Sequence, residues 1–165
     1  MATTPNAAPK NDIIPTGAGR RFGIVAASWH GEIVEAMLTG AVSTLESAGV
    51  LPTDIVIVRC PGSYELPVCV KTMAVHRHVD AIIALGVIIR GETAHFEYVS
   101  SPVSHALMNI SVETGVPCLF GVLTTEDEEQ ARARAGGHHG NKGSESAVAA
   151  LEMAEILHRL RKPKP

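Results

Sequence analysis

The stretch Ala81-Ile82-Ile83-Ala84-Leu85-Gly86-Val87-Ile88-Ile89 holds no polar side chain and runs directly into Arg90-Gly91-Glu92-Thr93-Ala94-His95. An apolar run without alternation offers no face to water, so it reads as a strand covered on both sides, the habit of a parallel sheet. Phe22 to Ala27 has the same character, and so do Ile55 to Val58, ended by Cys60-Pro61-Gly62, and Cys118 to Leu123. Between these strands the apolar residues switch to helical spacing. Ile33, Val34, Met37, Leu38, Ala41, Val42 and Leu45 share one face, and Gly49 supplies a stop. Leu66 to Val75 reads as a helix with Pro67 in its first turn, where proline is tolerated. A third helix carries Val99, Val103, Ala106, Leu107 and Ile110 on one face and is broken by Gly115-Val116-Pro117. Thr125 to Ala135 reads as a short helix opening on Thr or Asp, and Ser144 to Leu160 as a long closing helix after a Gly/His-rich loop.

Strand and helix alternation predicts an α/β fold: a single-domain three-layer sandwich, with a four-stranded parallel sheet covered by helices on both faces, flavodoxin-like in plan. The expected domain spans residues 21–161. Residues 1–20, rich in Ala, Pro, Thr and Asn, are expected to form a flexible arm, and 162–165 a tail. A chain of 165 residues with 45% hydrophobic side chains has enough apolar surface for one core. Its net charge of −3 argues against a nucleic-acid partner, and no apolar run approaches a membrane span. Cys60, Cys69 and Cys118 are odd in number and form no CxxC pair, which fits reduced thiols in a cytoplasmic protein.

In such sheets ligands lie beyond the carboxyl ends of the strands. Four loops reach that edge: Ser28–Gly31, Cys60–Leu66, Arg90–Phe96 and Thr124–Glu128. Ser28-Trp29-His30 carries the only Trp, a surface on which a planar heterocycle can stack or a residue that packs on a helix. Pro61 to Pro67 places Ser63, Tyr64 and Glu65 at a helix start; Glu65 can favour the helix dipole or accept hydrogen bonds from substrate hydroxyls. Glu92 and Thr93 lie in a turn whose backbone amides and Thr hydroxyl can cradle a phosphate. His95, just beyond, suits proton transfer near neutral pH or is a plain surface histidine. Arg134 and Lys142 flank Gly136-Gly137-His138-His139-Gly140-Asn141, two cations that suit an anion or a solvated loop.

Three other motifs fail on physical grounds. Gly17-Ala18-Gly19 precedes the first strand, so it cannot be a dinucleotide turn. Asn141-Lys142-Gly143 breaks the phosphate-loop pattern on both sides of its lysine. The adjacent His138 and His139 rarely face one ion and have no cysteine or carboxylate cluster beside them, so no metal site is expected.

Four blocks in order carry a family resemblance: Pro-Gly-Ser-Tyr-Glu-Leu-Pro at 61–67, Leu-Gly-Val-Ile-Ile-Arg-Gly-Glu-Thr-Ala-His-Phe at 85–96, Phe-Gly-Val-Leu-Thr-Thr at 120–125, and Glu-Gln-Ala at 129–131 continuing through Arg134 to Gly140-Asn-Lys-Gly143. From Phe22 to Leu160 the chain resembles the lumazine synthases. The resemblance implies an enzyme of riboflavin biosynthesis, without cofactor, that condenses a ribitylamino-uracil with 3,4-dihydroxy-2-butanone 4-phosphate. It further implies that Trp29 stacks on the pyrimidine, and that Ser63, Tyr64 and Glu65 line the ribityl site. Val87, Ile88 and Ile89 would meet the pyrimidine edge through their backbone, Glu92 and Thr93 lie on the phosphate loop, and His95 moves protons. Phe120 and Arg134 would come from a neighbouring subunit, Arg134 holding the phosphate, while Lys142 approaches the ring.

Trp29 stands where Phe is more usual and His30 where Asn is frequent. The implied partners are further copies of the chain, in a pentamer and, from the short Gly136–Asn141 turn, a sixty-subunit shell, together with riboflavin and riboflavin synthase. A flavin carrier on the same scaffold is the alternative, since fold alone does not fix function.

Overall fold

The computed structural model describes residues 13–162. Residues 1–12 of the expected arm and 163–165 of the expected tail lie outside the described residues. The order is β1 (Phe22–Ala27), α1 (Gly31–Ser47), β2 (Ile55–Cys60), α2 (Leu66–His76), β3 (Ala81–Ile89), α3 (His95–Thr114), β4 (Cys118–Thr125), α4 (Glu128–Ala133), β5 (Ala135–Gly137), β6 (Gly140–Asn141) and α5 (Lys142–Arg161). The four long strands are parallel in the order β2-β1-β3-β4.

Period-two alternation along the strands divides the core in two. Phe22, Ile24, Ala26, Ala81, Ile83, Leu85 and Val87 face α1 and α5, packing on Val34, Met37, Leu45 and Leu151. Val25, Ala27, Ile82, Ala84, Ile88 and Val122 face α2 and α3, packing on Leu66, Val70, Val103 and Leu107. β1 is buried at every position and β3 at all but its last, as apolar strands in the sheet interior require. The edge strand β2 differs: Ile57 is 45% exposed and Val58 also faces solvent. Its apolar pattern is that of a covered strand, yet this single chain leaves its outer edge open.

Local chemistry sets most boundaries. Gly115 ends α3 in the left-handed conformation (φ 69°) that glycine adopts without a Cβ clash. The helix expected over Thr125–Ala135 is shorter, because Thr125 belongs to β4 and Asp127 caps α4 by accepting the Gln130 N–H at 2.8 Å. The expected Gly/His-rich loop is a small hairpin, β5–β6, with Gly136 and Gly140 at positive φ. Ahead of β1, the Gly17 N–H donates to the Ala48 carbonyl at 2.8 Å, and Arg20 pairs with Glu155 on α5.

The hairpin leads into the closest approach at any described glycine. A Cβ at Gly143 would lie 1.8 Å from the Met37 carbonyl oxygen, so α5 crosses α1 at backbone contact. Asn141 locks the crossing. Its Oδ1 accepts the N–H groups of Gly143 and Ser144, at 2.9 and 3.2 Å, while its Nδ2 donates to the Ala36 carbonyl at 2.9 Å.

On the opposite face, burial pushes the Cys60 thiol from its ordinary 9.0 up to about 11, with Cys69 and Glu65 adding to the effect.

Two outcomes follow from this packing. Gly143→Ala lowers stability by about 1–3 kcal/mol or more through overpacking against a main-chain atom; an unchanged melting temperature would contradict the crossing. The fold favours the neutral Cys60 thiol, so its contribution is complete below about pH 9 and is lost as pH rises towards about 11. Urea titrations across that window give a steeper stability loss for the wild type than for Cys60→Ala, and equal slopes would contradict the burial argument.

Candidate active site

The sheet order reverses direction between β1 and β3, and a cleft opens there beyond their carboxyl ends. It encloses about 500 Å³ and brings together Trp29 and His30 after β1, Gly62 to Glu65 after β2, Val87 to Ile89 at the end of β3, and His95 with Val99 on α3. Eight of the expected site residues therefore meet in one place: Trp29, Ser63, Tyr64, Glu65, Val87, Ile88, Ile89 and His95. His30, Gly62 and Val99 join them. A second groove, of about 440 Å³, lies along the β2 edge and α2 between Val58 and Arg77. Its lining includes His76 and Arg77 but no carboxylate.

The walls of the cleft have separate origins. Trp29 stands on the rim, 70% exposed, a large apolar ring that the described residues leave mostly open. The residue after it, His30, has φ 56° and ψ 45°, the one non-glycine left-handed residue among those described. That conformation costs a β-carbon residue about 1–3 kcal/mol and is best tolerated by Asn, Asp and His. It frees the His30 carbonyl to accept the Ile33 and Val34 N–H groups at 3.0 and 3.1 Å, and so starts α1. The left-handed turn is a backbone reason for Asn or His at this place.

Glu65 precedes α2 but makes no side-chain cap, so its carboxylate is not spent on the helix end. A Cβ at Gly62 would come 3.1 Å from Glu65 Oε2 and 3.7 Å from Trp29 Cδ1, which puts carboxylate and indole on either side of a residue with no side chain. Ser63 is buried and its hydroxyl donates to the Val87 carbonyl at 3.3 Å, stitching the loop to β3. Gly86 makes room for it, because a Cβ there would meet Ser63 Oγ at 2.5 Å. The floor of Val87, Ile88 and Ile89 is apolar, with their main chain running along one side of the cleft.

His95 opens α3. Its N–H lies 3.4 Å from Thr93 Oγ1, and Glu92 and Thr93 are exposed in the turn between β3 and α3. Five expected residues do not line the cleft: Glu92 and Thr93 in that turn, and Phe120, Arg134 and Lys142. Phe120 pairs with Ala84 on β3, well before β4 ends at Thr125. At about 3.3 Å per residue it lies ~17 Å short of the carboxyl edge. Arg134 is exposed after α4, its guanidinium donating to the Gln130 carbonyl at 3.2 Å. Lys142 begins α5, with Nζ 3.3 Å from Glu145. The hairpin keeps these two cations together, since the Lys142 N–H donates to the Arg134 carbonyl at 2.8 Å.

His138 and His139 lie ring to ring at 4.3 Å, and no group of three or more potential ligands converges among the described residues. The three cysteines are free, and no described helix is long and apolar enough to cross a membrane.

Comparison with known proteins identifies the family. The profile of the family described as 6,7-dimethyl-8-ribityllumazine synthase matches residues 19–158. The 6,7-dimethyl-8-ribityllumazine synthase of Aquifex aeolicus is 46% identical over 146 residues, covering 88% of this chain and 95% of the relative. Its namesake from Desulfotalea psychrophila is 46% identical over 87% of this chain and 92% of its own length. For the Xanthomonas campestris protein of the same name the figures are 44%, 92% and 97%. With the profile spanning both walls of the cleft, the chain belongs to the 6,7-dimethyl-8-ribityllumazine synthase family.

Proposed function

We propose that this chain condenses 5-amino-6-(D-ribitylamino)uracil with 3,4-dihydroxy-2-butanone 4-phosphate to give 6,7-dimethyl-8-ribityllumazine, phosphate and water. The observation that carries the reading is the cleft itself, which unites a mostly exposed indole, a carboxylate not spent on a helix cap and an imidazole at one strand edge. The pyrimidine stacks on Trp29 with its edge along Val87 to Ile89, and the ribityl hydroxyls face Ser63, Tyr64 and Glu65. The ring amine attacks the ketone and water leaves, forming an imine. Loss of a neighbouring proton expels phosphate, and the ribitylamine nitrogen closes the second ring with loss of water. Each step is an amine addition to a carbonyl, an elimination or a proton transfer, so positioning and one acid/base group suffice, without metal or organic cofactor. His95 is that group, and the amides around Glu92 and Thr93 receive the phosphate.

The reading requires a second subunit. Phe120 is too far down β4 to reach its own cleft, and Arg134, bonded to the Gln130 carbonyl, does not line it. A neighbour supplies both, and because Lys142 is bonded through its backbone to Arg134, it arrives with them. The surface supports such assembly. On α3, Tyr98 and Val112 are 74% and 80% exposed, and with Ser101, His105 and Met108 they form one solvent-facing stripe at three- and four-residue spacing. The open β2 edge is a further surface that association would cover. A ring of five satisfies every site with one neighbour, and the short turn before α5 favours closure into a sixty-subunit shell. Riboflavin, which shares the ribityl chain and a fused ring, stacks on Trp29 in the same cleft, and riboflavin synthase is a natural partner for the product. The setting is cytoplasmic. A pure flavin carrier would need the stacking wall but not His95, Arg134 and Lys142.

Mixed with both substrates, the purified protein produces the absorbance of the lumazine, with or without excess chelator. His95→Ala lowers kcat by about 10²–10⁴-fold with pyrimidine binding kept, whereas Arg134→Ala weakens use of the phosphorylated substrate. An inert wild type overturns the activity, and wild-type kinetics in both variants overturn the residue roles.

A further inference from the structure

We propose that Arg90 is a positioning residue, holding the first turn of α3, and with it His95, against the carboxyl end of β4. The inference rests on the reading of His95 as the proton-transfer group. Arg90 directly follows β3, and its backbone N–H donates to the Thr125 carbonyl at 2.8 Å, extending the β3–β4 pairing by one residue. From that fixed point its side chain reaches both ways. Nε is 2.9 Å from a Glu126 carboxylate oxygen and 3.1 Å from the other, beyond the end of β4. Nη1 pairs with Glu97, and the guanidinium carbon lies 4.1 Å from the centre of the Phe96 ring. Phe96 and Glu97 are the two residues after His95.

Little else fixes that turn. Ala94 precedes α3 without a side-chain cap, the Thr93 contact to the His95 N–H is long at 3.4 Å, and residues 91–95 are exposed. Planar guanidinium geometry matters here. One group stacks on a ring through its face while its edge divides between two carboxylates, which an ammonium on a flexible stem cannot do. The same pairing holds the Glu97 carboxyl below the usual range. With its charge taken up by Glu97 and Glu126, Arg90 acts as a brace on the loop that presents Glu92, Thr93 and His95.

The test compares wild type, Arg90→Ala, Arg90→Lys and, as a control, Lys71→Ala, which removes the remote Lys71–Glu113 pair. In Arg90→Ala, amide hydrogen exchange quickens at residues 95–99 while β3 keeps its protection. Its kcat falls roughly ten- to a hundredfold, the scale of a misplaced catalytic group, and KM for the pyrimidine stays within about twofold. Arg90→Lys recovers only part of both effects, and Lys71→Ala matches the wild type. Unchanged exchange at 95–99, or exchange raised evenly over the whole chain, overturns the proposal. Should the wild type itself not turn over, the functional reading fails, and the exchange comparison still decides the role of Arg90.

Discussion

Everything in this chain is arranged around the need to keep β3 dry on both faces. A strand with side chains of Ala, Ile, Leu and Val and no polar group must have a helix layer above and below and a strand on either side. That requirement puts β1 and β4 beside it, α1 and α5 on one face, and α2 and α3 on the other. It also leaves one place where β3 meets solvent, its carboxyl end. The cleft and its imidazole lie at that place. Gly86 shows how closely burial and site are joined: its missing side chain accommodates the serine that ties the Pro61–Pro67 loop to the strand.

The same packing bears on the proposal that one chain holds only part of a site. Phe120 is fixed in the middle of β4 by pairing with β3, and no loop movement brings it to the carboxyl edge without dismantling the sheet. Arg134 and Lys142 are set by the hairpin and by the backbone contact of α5 with α1, where Asn141 and Gly143 allow little adjustment. Groups so rigidly held suit service to a neighbour's cleft, because their own chain spends nothing further in orienting them. Shared sites of this kind make assembly a condition of the proposed catalysis.

Much of this was legible from residue order. The buried strands announced themselves by lacking alternation, and β1 and β3 begin and end where the apolar runs do. Trp29, Ser63, Tyr64, Glu65 and His95 followed from the rule that places ligands beyond strand ends, whereas Val87, Ile88 and Ile89 came only from the family resemblance. Other features depend on contacts that local pattern does not encode. The hairpin at 135–141 looked like a loop because glycine and histidine carry no strand signal, and it forms because Gly136 and Gly140 take positive φ. Nothing in the local sequence singles out Arg90, since its partner Glu126 is 36 residues away. The left-handed His30 was visible only as an unusual residue beside Trp29, whereas its cause lies in the turn that starts α1.

The central claim is that each site joins His95 of one chain to Arg134 of another. Co-expression of His95→Ala and Arg134→Ala chains, with purification of the mixed assemblies, tests it directly. Each variant alone is defective, but a shared site regains both groups wherever an Arg134→Ala chain receives its neighbour's arginine from a His95→Ala chain. Random assortment gives roughly a quarter of wild-type turnover in the mixture. Mixed assemblies that stay as inactive as either parent would contradict the shared site and confine both residues to a single chain.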